Sequence, residues 1–444
     1  GKALAKKNSR SREATTLIDK YLDTRITLAR AIWTEGGPTE AEKILSSAEK
    51  ETRKYISVDE AVLVRARIEE EAGRFANAVK ILNSINVETH GKDFKTKVLW
   101  YRAWNQRKIG RLQEAADALA ALIDQEESTT QLSRDRFWLG KTLKDLGKTP
   151  EANEQFQKLA TEDSLGWYGL LAYRELGQMI PPLGKPSEVR APAAEGKSAE
   201  TSLMPEEKLT FEWLLAGGEN DLARKFLDQV TQDRRSGFSD AQTLDLLQSY
   251  ARAGHYQSLF NRLYELPAPQ RKRLLETNPE LLFPQPWPTL VKTASSRFDV
   301  QSELIYSIMR QESSFNPLAR SPADAFGLMQ LIPEMAKKAS ASAGITMTDH
   351  EDLYQPETNI PLGTAFVRGL QNYWSSSFIP TVASYNASEK AISGWIKSRY
   401  KGDTLSFIED VPYEETRNYI KLVMRNFIFY KRLNSGGNPI PFPE

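Results

Sequence analysis

The sequence predicts an all-α protein in which an array of helical repeats precedes a compact helical domain. Glycines recur at a fixed 37-residue spacing in the first third of the chain, which is typical of repeated helix pairs. Alternating β-branched runs bounded by turn residues do not recur, so strands are not expected beyond a minor hairpin near residues 344–348. Two proline-rich stretches interrupt the helical periodicity and divide the chain.

The repeats are marked by a glycine that is followed, five residues later, by an alanine. The four pairs are Gly36 and Ala41, Gly73 and Ala78, Gly110 and Ala115, and Gly147 and Ala152. Glycine suits the turn between two helices, and the small alanine lets the paired helices approach closely. The array resembles a tetratricopeptide (TPR)-like superhelix, in which each repeat buries its apolar face on the next. A fainter pair, Gly218 and Gly254, predicts further helix pairs.

Composition shifts divide the chain into five parts. Residues 1–177 form the TPR-like array, and residues 178–205, rich in Pro, Gly, Ser and Ala, form a linker. Residues 206–283 form an additional helical domain, residues 284–435 the compact C-terminal domain, and residues 436–444 an extended tail. The array is expected to be a scaffold or a partner surface, with Trp33, Trp100, Trp104 and Trp138 in its core.

Composition excludes several kinds of function. The formal net charge is +1, so no global field draws the chain to nucleic acid or to an anionic membrane. The absence of cysteine excludes disulfides, thiolate catalysis and Cys-ligated zinc. His90, His255 and His350 lie far apart without ligand spacing, so no metal site is expected. The sequence has no run of about 18 apolar residues, so no transmembrane segment is expected.

Glu312 is the strongest candidate for a catalytic carboxylate. It lies in residues 311–315 (QESSF), at the end of a predicted helix that starts near Val300. Leu304, Ile308 and Glu312 are four residues apart and share a helix face. Burial among apolar groups raises the pKa of a carboxyl group, and a carboxylic acid that stays protonated near neutral pH can protonate a leaving oxygen. The alternative is a surface glutamate at a helix C-terminus, where the macrodipole disfavours its charge.

Two further stretches carry groups suited to a polar ligand: residues 327–330 (GLMQ) and 383–387 (ASYNA). The amide of Gln330 can donate and accept hydrogen bonds, whereas Met329 suits either an apolar wall or the core. The hydroxyl of Tyr385 could orient an acid or stabilise developing positive charge. Asn386 could bind a ligand or brace its loop.

These motifs carry a resemblance when they are taken in order with Pro286-Trp287, residues 321–326 and residues 412–419. Over roughly residues 283–433 the chain resembles the soluble lytic transglycosylases of bacterial cell-wall metabolism, whose catalytic fold is similar to goose-type lysozyme. The resemblance implies a periplasmic enzyme acting on peptidoglycan glycan strands. Its export signal would not be part of this sequence, because the basic N-terminus lacks an apolar core. Cell-wall proteins are candidate partners for the repeats.

The resemblance also implies a mechanism. Glu312 would protonate the glycosidic oxygen between N-acetylmuramic acid (MurNAc) and N-acetylglucosamine (GlcNAc), and would then accept the proton of the muramyl C6 hydroxyl. That hydroxyl would close on C1 to give a 1,6-anhydro sugar, so neither a second carboxylate nor a cofactor or metal is needed. The implied substrate-binding residues are Ser321, Met329, Gln330, Tyr385, Asn386 and Glu415. On local grounds Ser321 is equally a turn residue before a proline.

Some positions leave alternatives open. Ser388 stands where the family usually has glycine, and it would cost roughly 1 kcal/mol if φ is positive there. A muramidase that uses water would need a second acid, for which Asp324 and Glu415 are the candidates. Glu415 could instead pair with Arg417. A non-catalytic wall-binding scaffold is the third alternative. Five aromatic residues offer flat faces that could stack on sugar rings, although most of them are expected in the core of the C-terminal domain: Tyr354, Tyr373, Trp374, Trp395 and Tyr413.

Overall fold

The predicted all-α class is confirmed in a computed structural model that describes residues 12–34, 36–124, 129–183 and 200–443. Within these ranges the regular elements are α-helices and short 3-10 turns, and β-type pairing is limited to isolated bridges such as Ile180 with Ile440. The predicted hairpin near residues 344–348 is wrong. Gly344 ends a helix with φ of +61°, and residues 345–348 follow without regular structure.

The chain divides into two compact units, each assembled from two stretches of sequence. Unit 1 comprises Gly1–Gln178 and Trp395–Pro412, and unit 2 comprises Met179–Gly394 and Tyr413–Glu444. The five-part division inferred from composition stays a prediction. Much of its linker, and the basic N-terminal stretch, lie outside the described residues.

Unit 1 consists mainly of paired helices. They are α1 (Arg12–Thr34), α2 (Pro38–Thr52), α3 (Asp59–Glu71), α4 (Phe75–Asn83), α5 (Lys92–Lys108), α6 (Leu112–Ile123), α7 (Thr129–Asp145), α8 (Thr149–Glu162) and α9 (Trp167–Glu175). The repeat glycines adopt the left-handed conformation, with φ between +73° and +91° at Gly36, Gly73, Gly110 and Gly147. The repeat alanines Ala41, Ala78, Ala115 and Ala152 are all fully buried. The sequence pattern therefore marks the inter-helix turns and the tightest helix contacts correctly.

The turn at Gly73 shows why glycine is used. Its backbone N–H donates to Glu70 O at 3.0 Å, and the N–H of Arg74 reaches back to Glu69 O at 2.9 Å. These bonds satisfy the last carbonyls of α3, and they require a left-handed residue between the two helices. Glycine adopts that conformation without the steric cost of a Cβ atom.

Unit 2 contains the helices of residues 179–394 and the long C-terminal helix. They are α10 (Pro205–Ala216), α11 (Asn220–Thr231), α12 (Asp240–Arg252), α13 (Tyr256–Glu265), α14 (Ala268–Thr277), α15 (Pro288–Phe298), α16 (Ser302–Ser313), α17 (Pro333–Ala343), α18 (Pro356–Tyr373), α19 (Phe378–Asn386) and α22 (Glu414–Asn434). Helix α20 (Glu389–Arg399) starts in the sequence of unit 2 and ends in that of unit 1, to which α21 (Thr404–Asp410) belongs. The fainter repeat is confirmed, since Gly218 and Gly254 have φ of +74° and +71°.

Helix α21 completes unit 1 through buried hydrogen bonds to the repeats. Asp410 accepts from Trp104 Nε1 at 2.8 Å and from Lys108 Nζ at 2.6 Å. Glu409 accepts from the Tyr168 hydroxyl at 2.7 Å and from Trp138 Nε1 at 3.2 Å. The predicted core placement of both tryptophans is confirmed, and their indole N–H groups fix a segment that lies about 300 residues further along the chain.

Across the described residues, every helix is too short or too polar to cross a bilayer.

Candidate active site

Helix α16 carries Glu312 in its last turn, with an apolar face pressed into unit 2. Leu304 and Ile308 are 2% and 1% exposed, as their spacing from Glu312 predicts. The helix stops because Ser314 and Phe315 both adopt positive φ, at 49° and 64°. Phe315 is fully buried and packs edge-on against the Tyr256 ring, which fixes the chain directly after Glu312.

The surroundings of Glu312 raise its pKa. Burial of the carboxyl group is the largest cause, the negative charge of Glu415 adds to it, and together they raise the pKa of Glu312 to about 7. The Tyr419 hydroxyl opposes this shift by donating a hydrogen bond of 2.7 Å to Glu312 Oε1. A carboxyl group that titrates near neutral pH can both give and take a proton, as general acid–base chemistry requires.

Two tyrosines near Glu312 stay neutral. Burial and the negative charge of Glu312 raise the pKa values of Tyr385 and Tyr419 well above the usual range. The Tyr385 hydroxyl donates to Met329 O at 2.8 Å, which ties α19 to the 327–330 loop. Sequence reasoning did not select Tyr419 as a site residue. The signal was present, because Tyr419 lies four residues after Glu415 and so on the same face of α22.

The 327–330 loop is held by a residue that the motifs did not reveal. Asn359, fully buried on α18, donates to Phe326 O at 2.9 Å and to Leu353 O at 2.7 Å, and accepts from Met329 N at 2.8 Å. A Cβ atom on Gly327 would lie 2.1 Å from Leu353 O, so only glycine fits there. The loop is therefore rigidly positioned before any ligand binds.

Gln330 and Met329 support this loop from within. Gln330 donates through Nε2 to Gly327 O at 2.8 Å and to Ala319 O at 3.1 Å. The Met329 side chain is fully buried against Gly363, where an added Cβ would come within 2.3 Å of its sulfur. The structure thus favours the core alternative for Met329 over an apolar wall for a ligand.

Ser321 and Asp324 shape the turn before the loop. The Ser321 hydroxyl accepts from Ala323 N at 3.2 Å and from Ala325 N at 3.1 Å, as expected of a turn residue. Asp324 is exposed and pairs with Arg320 at 2.7 Å. This ion pair leaves Asp324 a weak candidate for a second catalytic acid.

The 383–387 stretch is braced against α22. Asn386 Oδ1 accepts from Thr416 Oγ1 at 2.7 Å, which supports the loop-bracing alternative for this residue. The strain anticipated at Ser388 does not arise, because its φ is not positive. Ser388 instead caps the start of α20, where its hydroxyl accepts from Ala391 N at 3.2 Å. Serine is well suited to that position.

The aromatic residues expected mostly in the core lie nearer the surface. Tyr373 and Tyr413 are 60% and 41% exposed. Tyr354, Trp374 and Trp395 are partly exposed. The core prediction is wrong for Tyr373 and Tyr413, because helix ends offer aromatic rings only one packed face.

A buried arginine supports the catalytic helix from behind. Arg310, two residues before Glu312, lies over the rings of Phe260 and Phe283 at 4.6 Å and 5.2 Å. Its Nε donates to Leu282 O at 2.9 Å. The 206–283 region thus forms the back wall of α16, and it is part of the same unit as Glu312.

We expect Arg310→Met to lower the free energy of unfolding by about 2 kcal/mol. The Leu282 carbonyl would lose its donor, and two aromatic rings would lose their cation. Urea denaturation measures this as a lower midpoint at an unchanged m-value. The matched control is Arg273→Met, which breaks an exposed pair with Asp240 and should have little effect. Equal effects of both substitutions would contradict the supporting role of Arg310.

Comparison with known proteins classifies this site. Residues 289–408 match the Transglycosylase SLT domain family, and residues 97–127 match the Tetratricopeptide repeat family. The region that holds Glu312, the 327–330 loop and Tyr385 is therefore a transglycosylase domain preceded by helical repeats. Residues 289–408 therefore belong to the Transglycosylase SLT domain family.

Curated relatives carry the same description. The chain is 32% identical over 166 residues to a putative soluble lytic murein transglycosylase of Haemophilus influenzae, covering 37% of this chain and 28% of that protein. It is 32% identical over 151 residues to the soluble lytic murein transglycosylase of Escherichia coli K12, covering 34% and 23%. It is 27% identical over 302 residues to the soluble lytic murein transglycosylase of Salmonella typhimurium, covering 67% of this chain and 43% of that protein. The matches thus span less than half of each relative.

Solved structures share the fold. An inactive mutant of the lytic transglycosylase Slt from Pseudomonas aeruginosa aligns over 90% of this chain and 62% of its own, with a TM-score of 0.67 and 22% identity. A 70-kDa soluble lytic transglycosylase in complex with bulgecin A aligns over 95% and 63%, with a TM-score of 0.69 and 21% identity. At this level of identity, the likeness establishes the all-α fold.

Proposed function

We propose that this protein is a periplasmic lytic transglycosylase that cleaves the β-1,4 bond between MurNAc and GlcNAc in peptidoglycan without water. The observation that carries the proposal is Glu312, whose pKa is raised to about 7 within a transglycosylase SLT domain. A carboxyl group with this pKa is available both protonated and ionised near neutral pH. Its roles in both halves of the reaction follow from that state.

In the first step, protonated Glu312 gives its proton to the glycosidic oxygen, and the bond between that oxygen and C1 of MurNAc breaks. GlcNAc leaves with a free 4-hydroxyl group, and positive charge develops at C1 and the ring oxygen. The carboxylate left on Glu312 is stabilised by the hydroxyl of Tyr419 at 2.7 Å. Glu415 lies close enough to raise the pKa of Glu312, and its negative charge also favours the cationic transition state.

In the second step, the Glu312 carboxylate takes the proton of the C6 hydroxyl of the same MurNAc unit. The oxygen of that hydroxyl then bonds to C1 and closes the 1,6-anhydro ring. Glu312 is protonated again, so one residue completes the cycle and no atom of water enters the products. Attack within one sugar gains from proximity when the site holds the ring in the reactive pucker.

The substrate contacts of Ser321, Gln330, Tyr385, Asn386 and Glu415 belong to this proposal. In the free protein the first four of these hold loops together, so their effect on substrate is to fix the walls of the groove around Glu312. Glycan strands are the proposed substrate. Cell-wall proteins are proposed partners of the repeats.

Mass spectrometry of digested peptidoglycan tests the reaction directly. Muramyl products lighter by one water and lacking a reducing end support the proposal. Reducing-end products would mean hydrolysis by a muramidase, for which Glu415 is the second acid to examine, because its charge already acts on Glu312. A folded protein that binds peptidoglycan but releases nothing would favour a wall-binding scaffold.

The pH profile tests the role of Tyr419. Its hydrogen bond lowers the pKa of Glu312, so Tyr419→Phe should raise that pKa further. Since the first step needs the protonated acid, the alkaline limb of kcat/KM should move to higher pH. Tyr385→Phe is the matched control, because its hydroxyl bonds to a backbone carbonyl rather than to Glu312. A limb that moves equally in both variants would contradict a specific role for Tyr419.

A further inference from the structure

Unit 2 contains a cavity of about 630 Å³ that the proposed reaction does not use. Helices α15, α16, α18, α19 and α22 all contribute to its walls. Sites for small ligands typically have volumes of about 300–1,000 Å³. The cavity is therefore large enough for a sugar unit with its substituents.

The cavity is separate from the Glu312 site. Gln301 and Leu304 line it at the start of α16, whereas Glu312 lies in the last turn of the same helix. Eight residues separate Leu304 from Glu312, which corresponds to about 12 Å along the axis at 1.5 Å per residue. None of the residues assigned to the Glu312 site lines this cavity.

The lining combines two aromatic rings with several small polar groups. The rings of Phe378 and Phe427 lie 4.9 Å apart at 45° and form the apolar part. Three lining residues, Ser295, Ser296 and Ser376, contribute hydroxyl groups, whereas the hydroxyl of Thr381 is buried and donates to Ser377 O at 2.7 Å. Hydroxyls both donate and accept hydrogen bonds, so this wall matches a ligand with several hydroxyl groups and one apolar face.

An unmet hydrogen-bond acceptor lies among the lining residues. The side-chain oxygen of Gln371 has almost no exposed surface and no hydrogen-bond partner within the described part of the chain. A buried amide oxygen without a donor costs free energy, and a ligand that brings an N–H group would recover it. An acetamido group supplies such a donor.

The cavity also carries an excess of positive charge. Arg368 is balanced by Asp299 at 3.1 Å. Lys431 lies over the Phe427 ring at 5.1 Å, and among the described residues it forms no ion pair. The start of α16 adds no net positive charge, because Glu303 in its first turn offsets the helix dipole. Lys431 therefore favours a carboxylate at this end of the ligand.

We propose that this cavity is a second saccharide site, which binds an acetamido sugar carrying a carboxylate, as in MurNAc. The Phe378 ring, backed by the buried ring of Phe427, contacts the apolar face of the sugar. Gln371 accepts from the acetamido N–H, and Lys431 binds the carboxylate. The choice of MurNAc rests on the proposed peptidoglycan substrate. The lactyl carboxylate of MurNAc is free only where no stem peptide is attached, so the site would hold a strand stripped of its peptides, or a fragment released from one, while Glu312 acts elsewhere.

Photolabelling of the full chain tests the site without using cleavage. A diazirine derivative of MurNAc should label peptides from residues 371–381 and 424–431, and the matching derivative of GlcNAc, which lacks the carboxylate, should label them at least about fivefold less. Lys431→Met and Gln371→Leu should each reduce the MurNAc labelling by a similar factor. Lys272→Met, an exposed lysine of α14 outside the cavity, is the matched control.

Labelling confined to peptides that contain Glu312, Gln330 or Tyr385 would overturn the second site. Equal labelling by both sugars would overturn the assigned ligand. Because labelling needs no turnover, a protein that labels but produces no anhydro sugars would contradict the proposed function and leave this site standing. A protein that cleaves peptidoglycan but is not labelled at this cavity would support the proposed function and overturn the second site.

Co-sedimentation with sacculi whose stem peptides have been removed by an amidase separates the two sources of the ligand, because their MurNAc carboxylates are free. The Glu312→Gln protein is compared with the double variant that also carries Lys431→Met, so that the strands stay intact. Sedimentation reduced about fivefold in the double variant assigns the site to intact strands. If the two variants sediment equally, and Glu312→Gln is still labelled by the MurNAc derivative, the site is assigned to released fragments. Either result supports the site, and the labelling experiment alone can overturn it.

Discussion

Glu312→Gln is expected to abolish release of anhydro products from peptidoglycan, with a loss of at least about 1,000-fold, while the protein stays folded. Glutamine keeps the shape of the side chain and can still accept from Tyr419, but it has no proton to give and no basic oxygen to receive one. Mass spectrometry of the digest measures the loss. Glu334→Gln, at an exposed glutamate paired with Lys338, is the control and should retain full activity. Turnover by Glu312→Gln near the wild-type rate would refute the mechanism.

The same substitution should stabilise the protein at alkaline pH. The pKa of Glu312 rises from about 4.5 when unfolded to about 7 when folded, so the folded chain holds an extra proton between these values. The free energy of unfolding therefore falls as pH rises through this window, because a buried carboxylate forms. We expect Glu312→Gln to exceed the wild type by about 1–3 kcal/mol at pH 8 and to match it near pH 4. Thermal unfolding at both pH values measures the difference.

The second large effect is expected at Asp410. Asp410→Ala should lower the free energy of unfolding of unit 1 by about 3 kcal/mol, since it leaves the Lys108 ammonium and the Trp104 indole N–H without their buried acceptor. Lys108 and Asp410 have side chains only 17% and 9% exposed, so water replaces the lost contacts poorly. Urea unfolding followed by tryptophan fluorescence measures the change, because Trp104 lies at the contact.

A double variant separates the lost ion pair from other damage. Adding Lys108→Met to Asp410→Ala removes the unpaired charge and should recover part of the lost stability. Asp19→Ala, at an exposed position of α1, should change little. If the double variant lost as much free energy of unfolding as the two single variants together, the two charges would act independently. That result would contradict a stabilising contact between Lys108 and Asp410.

Local chemistry was enough to predict one part of this molecule. The turn glycines and buried alanines of the repeats follow from helix geometry, and so does the apolar face shared by Leu304, Ile308 and Glu312. These features depend on residues within about one repeat of each other. The backbone conformation and burial at these positions are therefore readable from spacing alone.

The remaining features depend on contacts between distant residues. Tyr419 reaches Glu312 across 107 positions, and Asn359 clamps Met329 across 30. No periodicity in the sequence relates these partners, because each contact results from how helices pack in unit 2. The placement of Asp410 against Trp104, 306 positions away, is of the same kind.

The route of the chain through α21 bears on how the protein is made. Whether the chain emerges N-terminus first from a ribosome or into the periplasm, residues 1–178 arrive early, yet the acceptors for Trp104 and Trp138 arrive only with residues 409 and 410. The repeats cannot form these buried hydrogen bonds until the intervening stretch of more than 200 residues has emerged. The N-terminal unit is therefore the first to begin folding and among the last to finish.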